Sequence, residues 1–322
     1  MTSEAKQLSV EPKRIAIVGT GAMGGVYAAH FAEAGHKVIA VDTWLDHVDA
    51  INQQGLHITG VSGDRFIDSI DATQSVADAG ACDLYVIATK ASGVGDAAEA
   101  IRATMPSHAH VLTIQNGLGA IERIGRYMPL DNVFLGVAEG FGASVPQAGT
   151  IHHNAMKMIR LGEIDGGTSD RLKSLESLWQ HAGFNAKAFD DIKQLVWEKF
   201  VCNVALSGPS ALFACTIGEL LSNPQSREVS IGCLLEAHTI GLLEGIAFSF
   251  DEPVDYLDRF VALMPDSRPS LQQDVTAGRF SEIDAINGMV PVLAENHGVA
   301  APFNTVVSTV VRAIESRLPQ KQ

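Results

Sequence analysis

At 322 residues, 46% hydrophobic and 19% charged, the chain carries enough apolar material for two domains with separate cores, which excludes a mainly disordered polymer. Its net charge of −14 repels phosphate backbones, so nucleic acid is not an expected partner and an anionic substrate must meet a local cation. No apolar run approaches the roughly 18 residues of a membrane span, and Cys82, Cys202, Cys215 and Cys233 show neither a C-x-x-C pair nor metal-ligand spacing with histidine. These features predict a cytoplasmic protein with reduced thiols, no zinc and no membrane contact.

Residues 1–12 are polar, lack the apolar core of a signal peptide, and read as a loose tail. Short apolar runs then alternate with helix-length segments: Ile15–Val18, Val38–Val41, Leu84–Ala88, Val111–Ile114 and Val133–Val137. Each run is continuously apolar rather than alternating, as parallel strands buried on both faces require, so helices are expected on both sides of the sheet. Thr150–Leu161 alternates and reads as one further strand, Asp170–His181 has helical spacing, and a short strand at Ala186–Phe189 closes the first domain. Beyond Asp191 apolar residues recur at helical spacing to the end, broken at Pro209, Pro224, Pro253, Pro265–Pro269 and Pro302. The pattern predicts an α/β doubly wound domain over 13–191 and an all-helical domain over 192–322.

The first strand runs directly into Gly19-Thr-Gly21-Ala22-Met23-Gly24, which opens a helical pattern over Val26–Ala34. In this setting the first glycine permits the tight turn, the second lets a pyrophosphate approach the backbone, and the third allows close helix–strand packing. Asp42 follows 18 residues after Gly24 at the end of the second strand, where an acid can take ribose hydroxyls. The segment therefore predicts a dinucleotide-binding Rossmann domain. Three further features end predicted strands, where open α/β sheets bind ligands: Thr89-Lys90, Gln115-Asn116-Gly117-Leu118-Gly119 and Glu139-Gly140. An ordinary N-G turn and a solvated lysine account for the same residues.

In the second domain Ile192, Val196, Lys199, Asn203 and Leu206 fall at steps of three or four and share one helix face. A lysine and an amide on an apolar stripe point to a polar cleft, or to a lysine snorkelling at a domain junction. Ser270-Leu-Gln-Gln-Asp and Ser281-Glu282-Ile-Asp-Ala-Ile-Asn287-Gly288 add a serine and a carboxylate. Glu282 is either a first-turn acid behind a Ser281 cap or the partner of an acid/base pair with Lys199.

Taken together, the early G-x-G-x-x-G, the N-G-x-G at Asn116, the W-x-K-x-x-x-N at Trp197, Lys199 and Asn203, the E-I-D-x-I-N-G at Glu282 and Gly298-Val-x-x-Pro302-x-Asn304 resemble the ketopantoate (2-dehydropantoate) reductase family over nearly the whole chain. The resemblance implies that Lys199 is the general acid. It implies that Asn203, Ser270 and Glu282 hold a 2-oxo or 2-hydroxy acid, while Lys90 and Asn116 lie along the cofactor and the active cleft. The family pattern has a second asparagine where Ser207 stands, placing Ser207 in the substrate set, an asparagine where Ile217 stands, and a basic residue where Thr43 stands. With Asp42 before Thr43, the residues predict NAD(H) in preference to NADP(H). Two other readings compete with a ketopantoate-type reductase: an NAD-dependent D-2-hydroxy acid dehydrogenase acting on a bulky, mandelate-like substrate, and a dinucleotide sensor without chemistry. The apolar helices at Ile231–Ile246 and Val306–Ile314 admit a homodimer.

Overall fold

The computed structural model describes residues 11–318; the predicted tail lies outside them except for Glu11 and Pro12, which have no regular structure. Contacts divide the chain into two units: residues up to Gln115 with Ala120–Ile192, and Asn116–Gly119 with Lys193 onward.

The first unit runs β1 (Arg14–Val18), α1 (Ala22–Glu33), β2 (Lys37–Val41), α2 (Leu45–Gln54), β3 (Leu56–Gly60), β4 (Arg65–Ile67), β5 (Ile70–Thr73), α3 (Val76–Ala79) and β6 (Leu84–Ile87). A 3-10 turn at Ala91–Gly93 leads to α4 (Val94–Thr104), β7 (His110–Thr113), α5 (Ala120–Gly125), β8 (Val133–Glu139), β9 (Gly142–Gln147), β10 (Thr150–Ala155), β11 (Met158–Glu163), α6 (Asp170–His181) and β12 (Ala186–Ala188). Eight strands form the main sheet in the order β12-β11-β8-β7-β6-β1-β2-β5, parallel except where β8 meets β11.

The continuously apolar strands have the predicted cause. Ile15 and Ile17 of β1 enter a core shared with α1 and α6, while Ala16 and Val18 enter a second core with α3, α4 and α5. Tyr27, Phe31, Trp179 and Phe184 meet edge to face or tilted in the first of these, with ring centroids 4.8–5.9 Å apart.

The sequence reading missed a second sheet, β4-β3-β10-β9, packed across the outer side of α1. Thr150–Leu161 is accordingly two strands rather than one. β10 pairs with β3 and β9 in the small sheet, the chain breaks at Met156–Lys157, and β11 joins the main sheet against β8. Alternation continues across the break because each strand buries one face, Ile151 and His153 in β10 and Ile159 and Leu161 in β11.

The second unit is helical: α7 (Ile192–Phe213), α8 (Ile217–Ser222), α9 (Pro224–Leu243), α10 (Pro253–Ala262), α11 (Ser270–Thr276), α12 (Met289–Asn296) and α13 (Pro302–Glu315). Pro209 lies inside α7, where it has no N–H to give Ala205. Ser230 of α9 fills that gap, donating its hydroxyl to Ala205 O at 2.8 Å. Two buried amides brace the same stretch. Asn287 donates to Val204 O at 2.8 Å and to Asn304 Oδ1 at 2.9 Å, and Asn304 donates to Cys233 O at 3.1 Å and to Glu236.

In the first unit Glu163, 7% exposed, ends β11 and binds Arg171 through both carboxylate oxygens, with Ser169 also donating. Burial alone would raise its pKa, but these hydrogen bonds and the guanidinium charge reverse the shift and hold it below the ordinary carboxylate value. A lowered folded-state pKa gives stability that is present above the unfolded value and lost as pH falls through the folded one. Glu163→Gln is expected to melt below wild type at neutral pH, with the gap closing under about pH 4. Melting curves of the two proteins from pH 7 to pH 3 check this, and a gap that stays constant would refute it.

Candidate active site

The glycine loop is built by close contacts. Gly19 turns at φ +91°, and a Cβ there would stand 2.6 Å from the Thr89 amide nitrogen. A Cβ on Gly24 would stand 2.1 Å from Gly19 O, so that position admits only hydrogen if helix and strand are to pack. Gly21 differs, since nothing lies within 4 Å of its Cβ position. It precedes α1, whose first turn has no side-chain cap and no acid, leaving the amides of Ala22 and Met23 at a positive helix end. Thr89 Oγ1 is buried beside this loop with no hydrogen-bond partner among the described residues. Open backbone, uncapped amides and an orphaned hydroxyl fit a dinucleotide diphosphate.

Asp42, half-buried, follows β2. One carboxylate oxygen accepts the Trp44 N–H at 3.0 Å, and Thr43 is exposed with its carbonyl taken by Gln74. Lys90 is exposed at the start of the 3-10 turn. Glu139, at the end of β8, is ion-paired with Lys157 and Arg160, which overcome the effect of burial and lower its pKa.

The remaining candidates belong to the helical unit. Lys199 and Asn203 are half-buried one turn apart on α7, and Ser207, one turn further, is buried. Glu282 is half-buried in a run of turns ahead of α12, not in the first turn of an α-helix. Ser281 does cap locally, accepting the Ile283 N–H at 3.3 Å.

Asn116–Gly119 leaves the strand order of the first unit and packs on this segment. Asn116 Nδ2 donates to Glu282 Oε2 at 3.5 Å, and Leu118 N donates to Ala285 O at 2.9 Å. Gly117, at φ +80°, brings its backbone against Ala285, where a Cβ would lie 2.3 Å from the carbonyl oxygen. Two motifs 166 residues apart are thus joined. Ser270 stands apart from this pairing, exposed as the first residue of α11. Among the described residues, no group of three or more His, Cys, Asp or Glu could hold a metal. Burial pushes the Cys202 thiol up to about 12, so it carries no thiolate at neutral pH.

Sequence reasoning singled out Asn287 and Asn304 only as motif letters, and the structure shows them as the buried amides that hold α7. It passed over Thr89 as part of a dipeptide and His47 entirely, because neither periodicity nor spacing distinguishes them.

A doubly wound sheet with this glycine loop, and a helical unit presenting lysine, asparagine and carboxylate, define an NAD(P)-dependent oxidoreductase. The family model described as ketopantoate reductase PanE/ApbA matches residues 15–166, and that of the family's C-terminal part matches 191–315. The chain belongs to the ketopantoate reductase family. It is 28% identical over 304 residues to a 2-dehydropantoate 2-reductase of Streptococcus pyogenes, covering 94% of this chain and 98% of that one. A 2-dehydropantoate 2-reductase structure from Geobacter metallireducens superposes with a TM-score of 0.85 at 28% identity, covering 93% of this chain and 99% of that one. A D-mandelate dehydrogenase bound to NADH and anilino(oxo)acetate shares the fold, with a TM-score of 0.86 at 23% identity over 94% of this chain and 98% of that one. Among the described residues no helix is long and apolar enough to cross a membrane.

Gly117→Ala forces a side chain into the left-handed region and against Ala285 O. The expected cost is about 1–3 kcal/mol, seen as a lower Tm, together with a raised KM as Asn116 shifts from Glu282. A variant with unchanged melting and kinetics would show that this approach constrains nothing.

Proposed function

We propose that the protein reduces the C2 carbonyl of a branched 2-oxo acid of the ketopantoate type, with residues 13–191 holding the dinucleotide and 192–322 supplying the substrate site. The observation that carries this reading is the Asn116–Glu282 pairing within the unit that also bears Lys199. A dinucleotide sensor would need neither the pairing nor the lysine.

When bound, the nicotinamide supplies the hydride at C2. Negative charge then grows on the carbonyl oxygen, and the Lys199 ammonium stabilises it and donates the proton that completes the hydroxyl. Asn203 and Ser207, on successive turns of α7, orient the substrate's polar groups, with Ser270 as a further contact. In this reading Glu282 is the carboxylate partner of the lysine, and Asn116 donates a hydrogen bond to it. At the other end, Gly19, Gly21, Ala22, Met23 and Gly24 receive the diphosphate, Lys90 flanks the cofactor, and Asp42 takes the adenosine ribose.

Cofactor choice follows from charge. A 2′-phosphate beside the Asp42 carboxylate, at about 5 Å, costs on the order of 1–3 kcal/mol per pair of unit charges, and Thr43 supplies no cation. NAD(H) is therefore favoured, and the same residues favour a second reading, an NAD-dependent D-2-hydroxy acid dehydrogenase of this family on a bulkier acid. The exposed apolar side chains of Leu235 and Leu242 on α9 and Val306 and Val310 on α13 support a homodimer, which light scattering checks.

A panel of 2-oxo and 2-hydroxy acids assayed with each cofactor separates the readings. Turnover of ketopantoate with NADH is expected, with kcat/KM about tenfold or more above that with NADPH; a wild-type preference for NADPH would show that Asp42 does not face the ribose. Lys199→Ala is expected to lower kcat by about 10²–10⁴ with cofactor affinity unchanged. Near-normal turnover in that variant would remove Lys199 from the chemistry.

A further inference from the structure

Trp179 and Trp197 are buried, 0% and 8% exposed, whereas Trp44 is 44% exposed directly after β2. An indole left in water at that level needs an explanation, since its ring would gain by burial. The ring is nevertheless fixed. Its backbone N–H is held by Asp42 Oδ1 at 3.0 Å, and one of its faces lies parallel to the His47 imidazole, with centroids 5.2 Å apart and planes 11° apart.

His47 is fully buried and both of its nitrogens are committed. Nδ1 accepts the Gly149 N–H at 2.9 Å, so Nε2 carries the proton and donates to Thr20 O at 2.9 Å. Thr20 lies between Gly19 and Gly21, and its hydroxyl donates to Ile17 O at 3.0 Å. The imidazole thus ties the indole to the glycine loop and to the β9–β10 turn. A flat aromatic surface is held in register with both Asp42 and the loop, stacked on one face and exposed on the other.

We propose that the exposed face of Trp44 is a stacking shelf for the purine base of the dinucleotide, with His47 as the positioning residue that levels it. The proposal rests on the reading of Asp42 as the ribose-binding acid. A base attached to that ribose sits within reach of the residue two positions on, and a π face offered parallel to an already stacked ring suits a flat heteroaromatic ligand. Stacking is indifferent to the 2′-phosphate, so the shelf raises affinity for both dinucleotides and leaves the choice between them to Asp42.

The test is binding without turnover, by calorimetry, of ADP-ribose and of nicotinamide mononucleotide to wild type, Trp44→Ala and Trp44→Phe. Trp44→Ala is expected to weaken ADP-ribose about 5- to 100-fold, Trp44→Phe much less, and neither to alter the mononucleotide. ADP-ribose should also quench tryptophan emission in wild type but not in Trp44→Phe. Equal ADP-ribose affinity in wild type and Trp44→Ala, with matching melting curves, overturns the shelf while leaving the dinucleotide site standing. No ADP-ribose binding by wild type overturns the dinucleotide site itself, and the shelf with it.

Discussion

The close approach of helix α1 to what lies on either side of it is the constraint on which the first unit depends. On one side Gly24 meets the Gly19 carbonyl, and on the other a Cβ at Gly25 would stand 2.5 Å from Ile151 of β10. Two consecutive glycines therefore let the helix lie between the main sheet and the small one. Intrinsic propensity opposes them, since each glycine costs about 1 kcal/mol relative to alanine inside a helix. The opposing gain is burial on both sides, with Tyr27 and Phe31 in the core shared with Trp179 and Phe184. The same geometry holds the uncapped N-terminus of α1 at the ends of β1 and β6, where Thr89 and Gly19 nearly touch.

In the second unit the equivalent demand falls on α7. A helix carrying Lys199 and Asn203 must keep its direction through Pro209 and Gly208, and neither residue favours helix. Its carbonyls are satisfied from outside: Ser230 bonds Ala205 and Asn287 bonds Val204. A Cβ on Gly208 would lie 2.4 Å from Asn287 Oδ1, so the glycine is what admits the bracing amide. The E-I-D-x-I-N-G segment consequently has two jobs. Glu282 meets Asn116, and Asn287, five residues later, secures the helix that carries the lysine.

Much of the architecture was legible because burial leaves a periodic trace. β1, β2, β6, β7 and β8 read as continuous apolar runs, and the cores on both faces explain them. The small sheet left no such trace. β3 buries only alternate residues, β4 buries only Ile67, β9 buries none, and β10 has two register shifts, so each segment reads as loop or merges with its neighbour. For the candidate site, spacing placed Lys199 and Asn203 on one helix but could not show that Asn116 reaches Glu282. That contact depends on Gly117 and Leu118 docking on Ala285, which brings together Asn116 and Glu282 from positions 166 residues apart, and no local pattern encodes it.

The departures from the family pattern sort by unit. Asp42 and Thr43 belong to the α/β unit, Ser207 and Ile217 to the helical one. Residues in separate cores with no shared partner contribute nearly additively to binding and catalysis. On the proposed reading, Thr43 bears on the choice of dinucleotide and Ser207 on the substrate's polar contacts, and the two lie in different units. The hydroxyl of Ser207, buried on the third turn of the lysine face, is shorter than a carboxamide and has one fewer donor. With the proposed cofactor and substrate contacts carried by different units, one class of chemistry can be kept while the two preferences change independently.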